Sequence, residues 1–213
     1  MISVDEAATF YTESDTAHGL DHVLRVWRLA LRIGAEEGAD LEVLQAAALL
    51  HDVGRPEELA TGACHAQVSA AMAREILSAR SAPARIEEVA DAIARHRYRS
   101  SLLPETLEAR VLFDADKLDA IGAIGVARAY AIAGAQGQHL WAKPPDEAVD
   151  RRPETGRHDL HDAAHTPVHE FRFKLVELAG RMFTATGRRM AEDRHRFMVA
   201  FFERLEREVE GAV

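Results

Sequence analysis

The stretch AAALLHDVGRP at residues 46–56 decides the fold, because an apolar run there ends in an adjacent histidine and aspartate. The residues from Leu41 to Leu50 are apolar nearly all round, and this pattern predicts a buried helix. Gly54 suits a left-handed C-cap of that helix, and Pro56 is expected to prevent its continuation. The two polar side chains are therefore expected at the inner end of a buried helix.

His51 and Asp52 need partners in such a place, because burying each of them unpaired costs about 1–3 kcal/mol or more. A neutral imidazole and a carboxylate are both good ligands for a divalent metal. A histidine–aspartate pair that only closes the end of a helix satisfies the same requirement. The dipeptide by itself leaves both interpretations open.

The composition favours closely packed helices in one domain, or in one domain with an appendage. Of the 213 residues, 47% are hydrophobic but only 6% are aromatic, and alanine is abundant. Helical periodicity predicts helices at 3–13, 20–38, 40–52, 63–77, 83–96, 104–121 with a continuation to 134, 171–183 and 187–209. No convincing strand is present, so the predicted class is all-α. We expect one domain over 1–213, with a core at about 15–130 and C-terminal helices at about 168–210.

The charge pattern limits the kinds of partner. The net charge is −9 and no basic block stands out, which argues against a surface for long nucleic acids but allows a local pocket for a small anion. Cys64 is the single cysteine and permits no internal disulfide, as in a reducing compartment. The N-terminus lacks the pattern of a signal peptide, and no apolar stretch approaches the roughly 20 residues of a membrane helix. A soluble, cytoplasmic protein is expected.

Four residues of ligand type lie on or beside apolar helical faces, namely His22, His51, Asp52 and Asp116. Taken alone, His22 could be a hydrogen-bonded core histidine and Asp116 an ion-paired or solvated residue. Together they form a set of two histidines and two aspartates, which suits Mn²⁺, Fe²⁺, Co²⁺, Ni²⁺ or Mg²⁺ and leaves positions open for water.

These residues lie in three motifs, HGLDHVLRV at 18–26, AALLHDVGR at 47–55 and DADKLDAIGAIG at 114–125. In this order they resemble the HD-domain metal-dependent phosphohydrolases, over about 15–130, and in particular the small stand-alone bacterial members. The resemblance implies an all-α HD-domain helical bundle with a metal site between core helices. It implies that His22, His51, Asp52 and Asp116 are metal ligands. Manganese is the first choice of metal, with magnesium, iron, cobalt and nickel as alternatives.

The third motif offers two aspartates, of which Asp116 is preferred to Asp114 because it directly precedes Lys117 and Leu118. Residues two apart lie about 200° apart around a helix, so only one of the two can face the site. Asp119 follows Asp116 by one turn.

A divalent metal lowers the pKa of water that it binds and attracts phosphoryl oxygens, so attack on phosphorus follows from the resemblance. Asp52, Arg25 and Asp119 are therefore candidates for catalysis. Arg25, Arg55 and Lys117 are candidates for substrate binding, because an arginine fork fits phosphate with two hydrogen bonds. Solvated surface arginines and a structural Lys117–Asp119 ion pair are the alternatives.

His65 and His96 are further candidates for both catalysis and substrate binding. Related HD proteins with extra histidines at comparable places hold two metals, bridged by the aspartate of the pair. As alternatives, His65 caps a helix, or His96 forms a basic rim with Arg95 and Arg97. The sequence does not decide between one metal and two.

A long polar segment at about 136–167 contains four histidines and several prolines. It is interpreted as a mobile lid that supplies no metal ligand, because Pro167 interrupts the helical spacing of the histidines near it. Cys64 next to His65 makes a weak case for a metal ligand, since no second sulfur is available.

The leading hypothesis is a metal-dependent phosphohydrolase acting on a small phosphorylated substrate, with nucleoside triphosphate converted to monophosphate plus pyrophosphate. Phosphomonoesterase and cyclic phosphodiesterase activities are alternatives within this class. A non-catalytic nucleotide- or metal-binding module, or an interaction scaffold using the histidine-rich segment, are alternatives outside it. The complete ligand set argues against a degenerate module. The oligomeric state stays open, with a homodimer among the alternatives.

Overall fold

The computed structural model describes residues 1–11, 19–98, 102–143 and 166–213, and these residues contain helices and no strand, so the all-α prediction is confirmed. The helices are α1 (Val4–Ala8), α2 (Leu20–Glu37), α3 (Leu41–Leu50), α4 (Arg55–Thr61), α5 (His65–Leu77), α6 (Pro83–Ala94), α7 (Leu107–Asp119), α8 (Gly122–Ala135), α9 (Pro167–Glu170), α10 (Val176–Leu178) and α11 (Ala185–Val209). A π-helical turn at Phe171–Leu175 joins α9 to α10, and a 3₁₀ turn follows at Ala179–Arg181.

Helix α3 has the position that its sequence predicts. The Asp40 side chain caps it, accepting hydrogen bonds from the backbone N–H groups of Glu42 at 3.0 Å and Val43 at 3.1 Å. Every residue from Ala46 to Leu50 is completely buried. The C-cap is His51, so the histidine and aspartate stand at the inner end of a buried helix, as expected.

One sequence interpretation near this end is wrong. Gly54 has φ −86°, so it is not a left-handed cap. A Cβ at Gly54 would lie 2.7 Å from the backbone nitrogen of Ser69 and 2.9 Å from the carbonyl oxygen of His65, so close backbone contact explains the glycine. Helix α3 ends before Pro56, as predicted, and Pro56 itself stands in the first turn of α4, where its missing N–H costs nothing.

We expect the Gly54→Ala substitution to lower the free energy of unfolding by about 1–3 kcal/mol, because the new methyl group overlaps the backbone of α5. Thermal unfolding of the metal-free protein measures this as a fall in Tm of about 2–4 °C per kcal/mol. Gly134→Ala in α8 is the matched control, since no atom of the described residues lies within 4 Å of a Cβ there. Equal Tm values for the two variants would contradict the close-contact explanation.

The chain divides into two compact units, Met1–Asp119 with Met182–Met190, and Ala120–Arg181 with Ala191–Val213. In the first unit, α2 packs on α3 and α7, and α6 packs on α3 and α5. In the second, α8 packs on α9, and the rings of Phe171 and Phe202 stack with centroids 4.3 Å apart. The prediction of a single domain stays a prediction.

The predicted lid at about 136–167 lies mostly outside the described residues, which resume at Thr166 after a gap from 144 to 165. His169 is described, and its Nδ1 accepts a hydrogen bond from the backbone N–H of Thr166 at 3.2 Å. Pro167 begins α9 and does not interrupt a helix within the described part. Among the described helices, none alone is long and apolar enough to cross a membrane, and only α7 and α8 together, as a bent pair, reach the required length and composition.

Candidate metal centre

All residues of the candidate centre belong to the first compact unit, and four buried histidines dominate it: His22, His51, His65 and His96. The Nδ1 atom of His51 donates to the carbonyl of Ala48 at 2.8 Å, and that of His96 donates to the carbonyl of Ile93 at 2.6 Å. A carbonyl oxygen only accepts, so both rings carry a hydrogen on Nδ1. Their Nε2 atoms lie near the carboxylate of Asp52, at 3.8 Å for His51 and 3.7 Å for His96.

The other two histidines are held by carboxylates. The Nδ1 atom of His22 lies 2.7 Å from Asp119 Oδ2, and that of His65 lies 2.8 Å from Glu58 Oε2. Burial lowers the pKa of His51 to about 4, and burial together with the charge of Arg55 lowers the pKa of His65 to about 4. These two rings are therefore neutral near pH 7, and a neutral ring with its hydrogen on Nδ1 has a lone pair on Nε2.

The four Nε2 atoms surround one carboxylate, that of Asp52. His22 and His51 lie 3.7 and 3.8 Å from Asp52 Oδ2. His65 and His96 lie 3.6 and 3.7 Å from Asp52 Oδ1. Asp52 is only 2% exposed, and its Oδ1 accepts no hydrogen bond from the described residues. An unpaired carboxylate oxygen in such a place is costly, and a cation beside it would remove that cost.

The donor atoms fall into two groups that share Asp52. One group is His22, His51 and Asp52, and the other is Asp52, His65 and His96; within each group the donor atoms lie within 4.8 Å of one another. In each group the two histidine Nε2 atoms are 3.3 Å apart. Two Nε2 atoms at this separation, together with a carboxylate, fit around a divalent metal, which takes neutral imidazoles and carboxylates as ligands.

Asp116 lies next to the first group, on the side of His22. Its Oδ1 lies 3.5 Å from His22 Nε2, and its side chain is 13% exposed. The structure therefore brings His22, His51, Asp52 and Asp116 together from α2, α7 and the end of α3. Their role as metal ligands stays a prediction.

Asp114 faces away from this centre. Its carboxylate accepts hydrogen bonds from the backbone N–H groups of Phe183 at 2.9 Å and Thr184 at 2.8 Å, and from the Thr184 hydroxyl at 2.7 Å. Burial raises the pKa of Asp114, although these three donors favour its charged form. The choice of Asp116 over Asp114 for the site-facing position is consistent with this geometry.

Arg25 and Asp119 lie behind His22. The Arg25 guanidinium donates to Asp119 Oδ1 from Nε at 2.7 Å and to Asp119 Oδ2 at 3.1 Å, and it donates to Asp21 at 2.6 Å. Asp119 is 1% exposed, and its Oδ2 lies 2.7 Å from Nδ1 of His22. Both residues are thus placed to orient His22, and their predicted direct roles in catalysis and substrate binding stay predictions.

Arg55 and Lys117 both pair with carboxylates of the centre. Arg55 Nε lies 3.2 Å from Asp52 Oδ2, and Lys117 Nζ lies 2.5 Å from Asp116 Oδ2. Lys117 thus pairs with Asp116, the neighbouring residue on α7. Both cations stand beside the predicted ligands, where a phosphate group would be attracted.

Sequence reasoning missed one residue of the site, Glu58. Its Oε2 lies 2.8 Å from His65 Nδ1 and 3.2 Å from an Arg55 guanidinium nitrogen, and its Oε1 lies 3.7 Å from Arg97. Helical periodicity predicted no helix between residues 52 and 63, whereas α4 forms there. Proline in the first turn followed by two glutamates is a helix-start signal that could have identified α4.

The two aspartates of α7 give a paired test. We expect Asp114→Asn to lower the free energy of unfolding by about 1–3 kcal/mol, because its new amide N–H groups would face backbone N–H donors. Asp116→Asn is expected to change stability much less and to lower Mn²⁺ content. Thermal unfolding without metal and metal analysis after dialysis measure both effects. Loss of metal in the Asp114 variant with an unchanged Asp116 variant would reverse the assignment.

Comparisons with known proteins point to one family. A family model described as HD domain matches residues 19–121. The Bacillus subtilis (strain 168) protein YpgQ is 32% identical over 203 residues, which are 94% of this chain and 88% of YpgQ. The match at 19–121 contains every metal-ligand candidate of the sequence.

Solved structures agree with this result. The crystal structure of Bacillus subtilis YpgQ in complex with ADP is 28% identical with a TM-score of 0.72, covering 98% of this chain and 99% of that chain. A predicted HD superfamily hydrolase from an uncultured Thermotogales bacterium is 30% identical with a TM-score of 0.66, covering 96% of this chain and 90% of that chain. The likeness therefore extends over nearly the whole chain.

Proposed function

The chain belongs to the HD-domain family and is of its metal-dependent phosphohydrolase kind, and we propose that it converts a nucleoside triphosphate to a monophosphate and pyrophosphate. One observation carries the proposal. The carboxylate of Asp52, buried and without a hydrogen-bond donor on Oδ1 among the described residues, is surrounded by four histidine Nε2 atoms.

The donor set fits divalent metal in two adjoining positions. His22, His51, Asp52 and Asp116 would hold one ion. His65 and His96 would hold a second ion, with Asp52 shared between the two. When bound, such ions supply Lewis acidity toward phosphoryl oxygens and lower the pKa of water. Manganese is the metal proposed first, ahead of magnesium, iron, cobalt and nickel, because a mixed nitrogen and oxygen set suits these ions.

The side chains themselves supply charge and orientation. Arg55 and Lys117 lie beside the centre and would attract the negative phosphates of the substrate. Arg25 holds Asp119, which holds His22, so this pair would keep one imidazole aligned through the reaction. His65 and His96 are the remaining candidates for contact with substrate or for proton transfer.

Nucleotide as the substrate is supported by a relative. YpgQ was crystallised in complex with ADP, and it resembles this chain along nearly its whole length. Release of pyrophosphate rests on the resemblance of the three sequence motifs to small bacterial HD hydrolases. Phosphomonoesterase and cyclic phosphodiesterase activities remain the alternatives, because the same centre could attack either kind of phosphorus. The cytoplasmic location and the homodimer stay predictions.

A product screen tests the proposal. The purified protein is incubated with nucleoside triphosphates, monophosphates and cyclic nucleotides in added Mn²⁺, and phosphate and pyrophosphate are measured separately. We expect pyrophosphate from triphosphates. Phosphate from monophosphates, or opening of cyclic nucleotides, would favour the alternatives, and no product from any of them would support a binding module. The Asp52→Asn variant serves as the inactive control.

A further inference from the structure

The two groups of the centre are built in the same way around Asp52. In each, one histidine is anchored by the carbonyl three residues earlier, Ala48 for His51 and Ile93 for His96. In each, the other histidine is anchored by a carboxylate that also pairs with arginine. Glu58 therefore anchors Nδ1 of His65 in the same way that Asp119 anchors Nδ1 of His22.

The two carboxylates differ in their surroundings. Asp119 is 1% exposed and binds the Arg25 guanidinium through both oxygens. The Glu58 side chain is 20% exposed on the short helix α4 and divides its contacts between His65, Arg55 and Arg97. His65 is thus anchored by a carboxylate that is more exposed than Asp119 and that also contacts two arginines.

We propose that Glu58 is a positioning residue that keeps His65 in the tautomer with hydrogen on Nδ1. This leaves the Nε2 lone pair directed at Asp52 and sets the metal affinity of the Asp52–His65–His96 group alone. The inference rests on the metal centre of the proposed function. A ligating histidine depends on the acceptor behind its other nitrogen, and loss of such an acceptor typically costs about 10- to 100-fold in metal affinity.

No other described contact could fix this tautomer. The Nε2 atom of His65 lies 3.3 Å from His96 Nε2 and 3.6 Å from Asp52 Oδ1. Without Glu58, a hydrogen on Nε2 could be donated to the Asp52 carboxylate, and this would occupy the position intended for metal. Glu58 thus also prevents a hydrogen bond from His65 Nε2 to Asp52 in the metal-free centre.

The first readout is the tautomer in the metal-free protein, measured from ¹⁵N chemical shifts of the histidine side chains. The wild type should show His65 with hydrogen on Nδ1. Glu58→Ala should shift His65 toward hydrogen on Nε2, and Glu58→Gln should restore the wild-type signal, because its amide oxygen still accepts. Glu57→Gln, at an exposed position on the same helix, is the control. An unchanged His65 signal in Glu58→Ala would overturn the proposal.

The second readout is Mn²⁺ binding by equilibrium dialysis, with thermal unfolding to verify that each variant is folded. We expect two ions per wild-type chain. In Glu58→Ala one should keep its affinity and the other should bind about 10- to 100-fold more weakly. Equal weakening of both ions, no weakening, or a wild type that binds fewer than two ions would overturn the assignment to this group.

The two proposals fail in different ways. A wild type that binds two ions but hydrolyses no nucleotide would refute the proposed function and leave the role of Glu58 to these two readouts. If the wild type is active but the Glu58→Ala variant keeps the wild-type His65 tautomer and Mn²⁺ affinity, only the role of Glu58 is refuted.

Discussion

The Asp52→Asn variant is expected to lose nucleotide hydrolysis by at least about 10³-fold while remaining folded. Asp52 is the one carboxylate that both histidine groups share, so its charge is needed for each ion. The metal is worth several kcal/mol of transition-state stabilisation, and each 1.4 kcal/mol or so is a factor of ten in rate. Loss of both ions therefore removes most of the catalysis.

The stability of this variant is expected to be unchanged or higher in the absence of metal. In the wild type, Asp52 Oδ1 faces Nε2 of His65 and His96 without a hydrogen bond from the described residues. An asparagine amide could donate to these lone pairs, which would offset the weakened pairing with Arg55.

Initial rates at saturating Mn²⁺ and thermal unfolding in chelator measure the two effects. Asp91→Asn is the matched control, because Asp91 pairs with Arg95 at 2.6 Å and lies outside the centre. Turnover within about tenfold of the wild type in Asp52→Asn would contradict the shared-ligand role of Asp52.

Removal of divalent metal is expected to abolish turnover reversibly. Dialysis against a chelator should reduce the rate to background, about 10²-fold or more below the loaded protein, and added Mn²⁺ should restore it. Binding of Mn²⁺ to the folded state should also raise Tm, by an amount that increases with metal concentration. Both are measured on one preparation.

Two outcomes would contradict this prediction. Full turnover in protein that elemental analysis shows to be metal-free would refute the mechanism. A Tm that Mn²⁺ does not change, together with lost activity, would place the metal on the substrate and not on the protein. Magnesium, cobalt and nickel tested in parallel rank the metals that the donor set accepts.

Much of the fold followed from local signals. The apolar run before His51 and the Asp40 cap both act within a few residues, so the sequence displays them directly. The choice of Asp116 over Asp114 agrees with the positions observed, because residues two positions apart lie about 200° apart around a helix.

Other features depend on contacts between distant segments. Gly54 was assigned a left-handed cap, but its small size is required by the backbone near Ser69, which belongs to a later helix. Glu58 was missed because only folding places it behind His65. Arg25 was predicted to act in catalysis and substrate binding, and its contact with Asp119, 94 positions away, could not be seen in either motif separately.

The most direct test of the metal centre is a crystal grown with Mn²⁺ and measured for anomalous scattering. The expected result is one anomalous peak among His22, His51, Asp52 and Asp116, and a second among Asp52, His65 and His96, each at about 2.0–2.3 Å from its ligands. A single peak in the first position would support a metal centre that holds one ion and would refute the second ion. No peak beside Asp52, with Mn²⁺ bound elsewhere or nowhere, would contradict the metal centre itself.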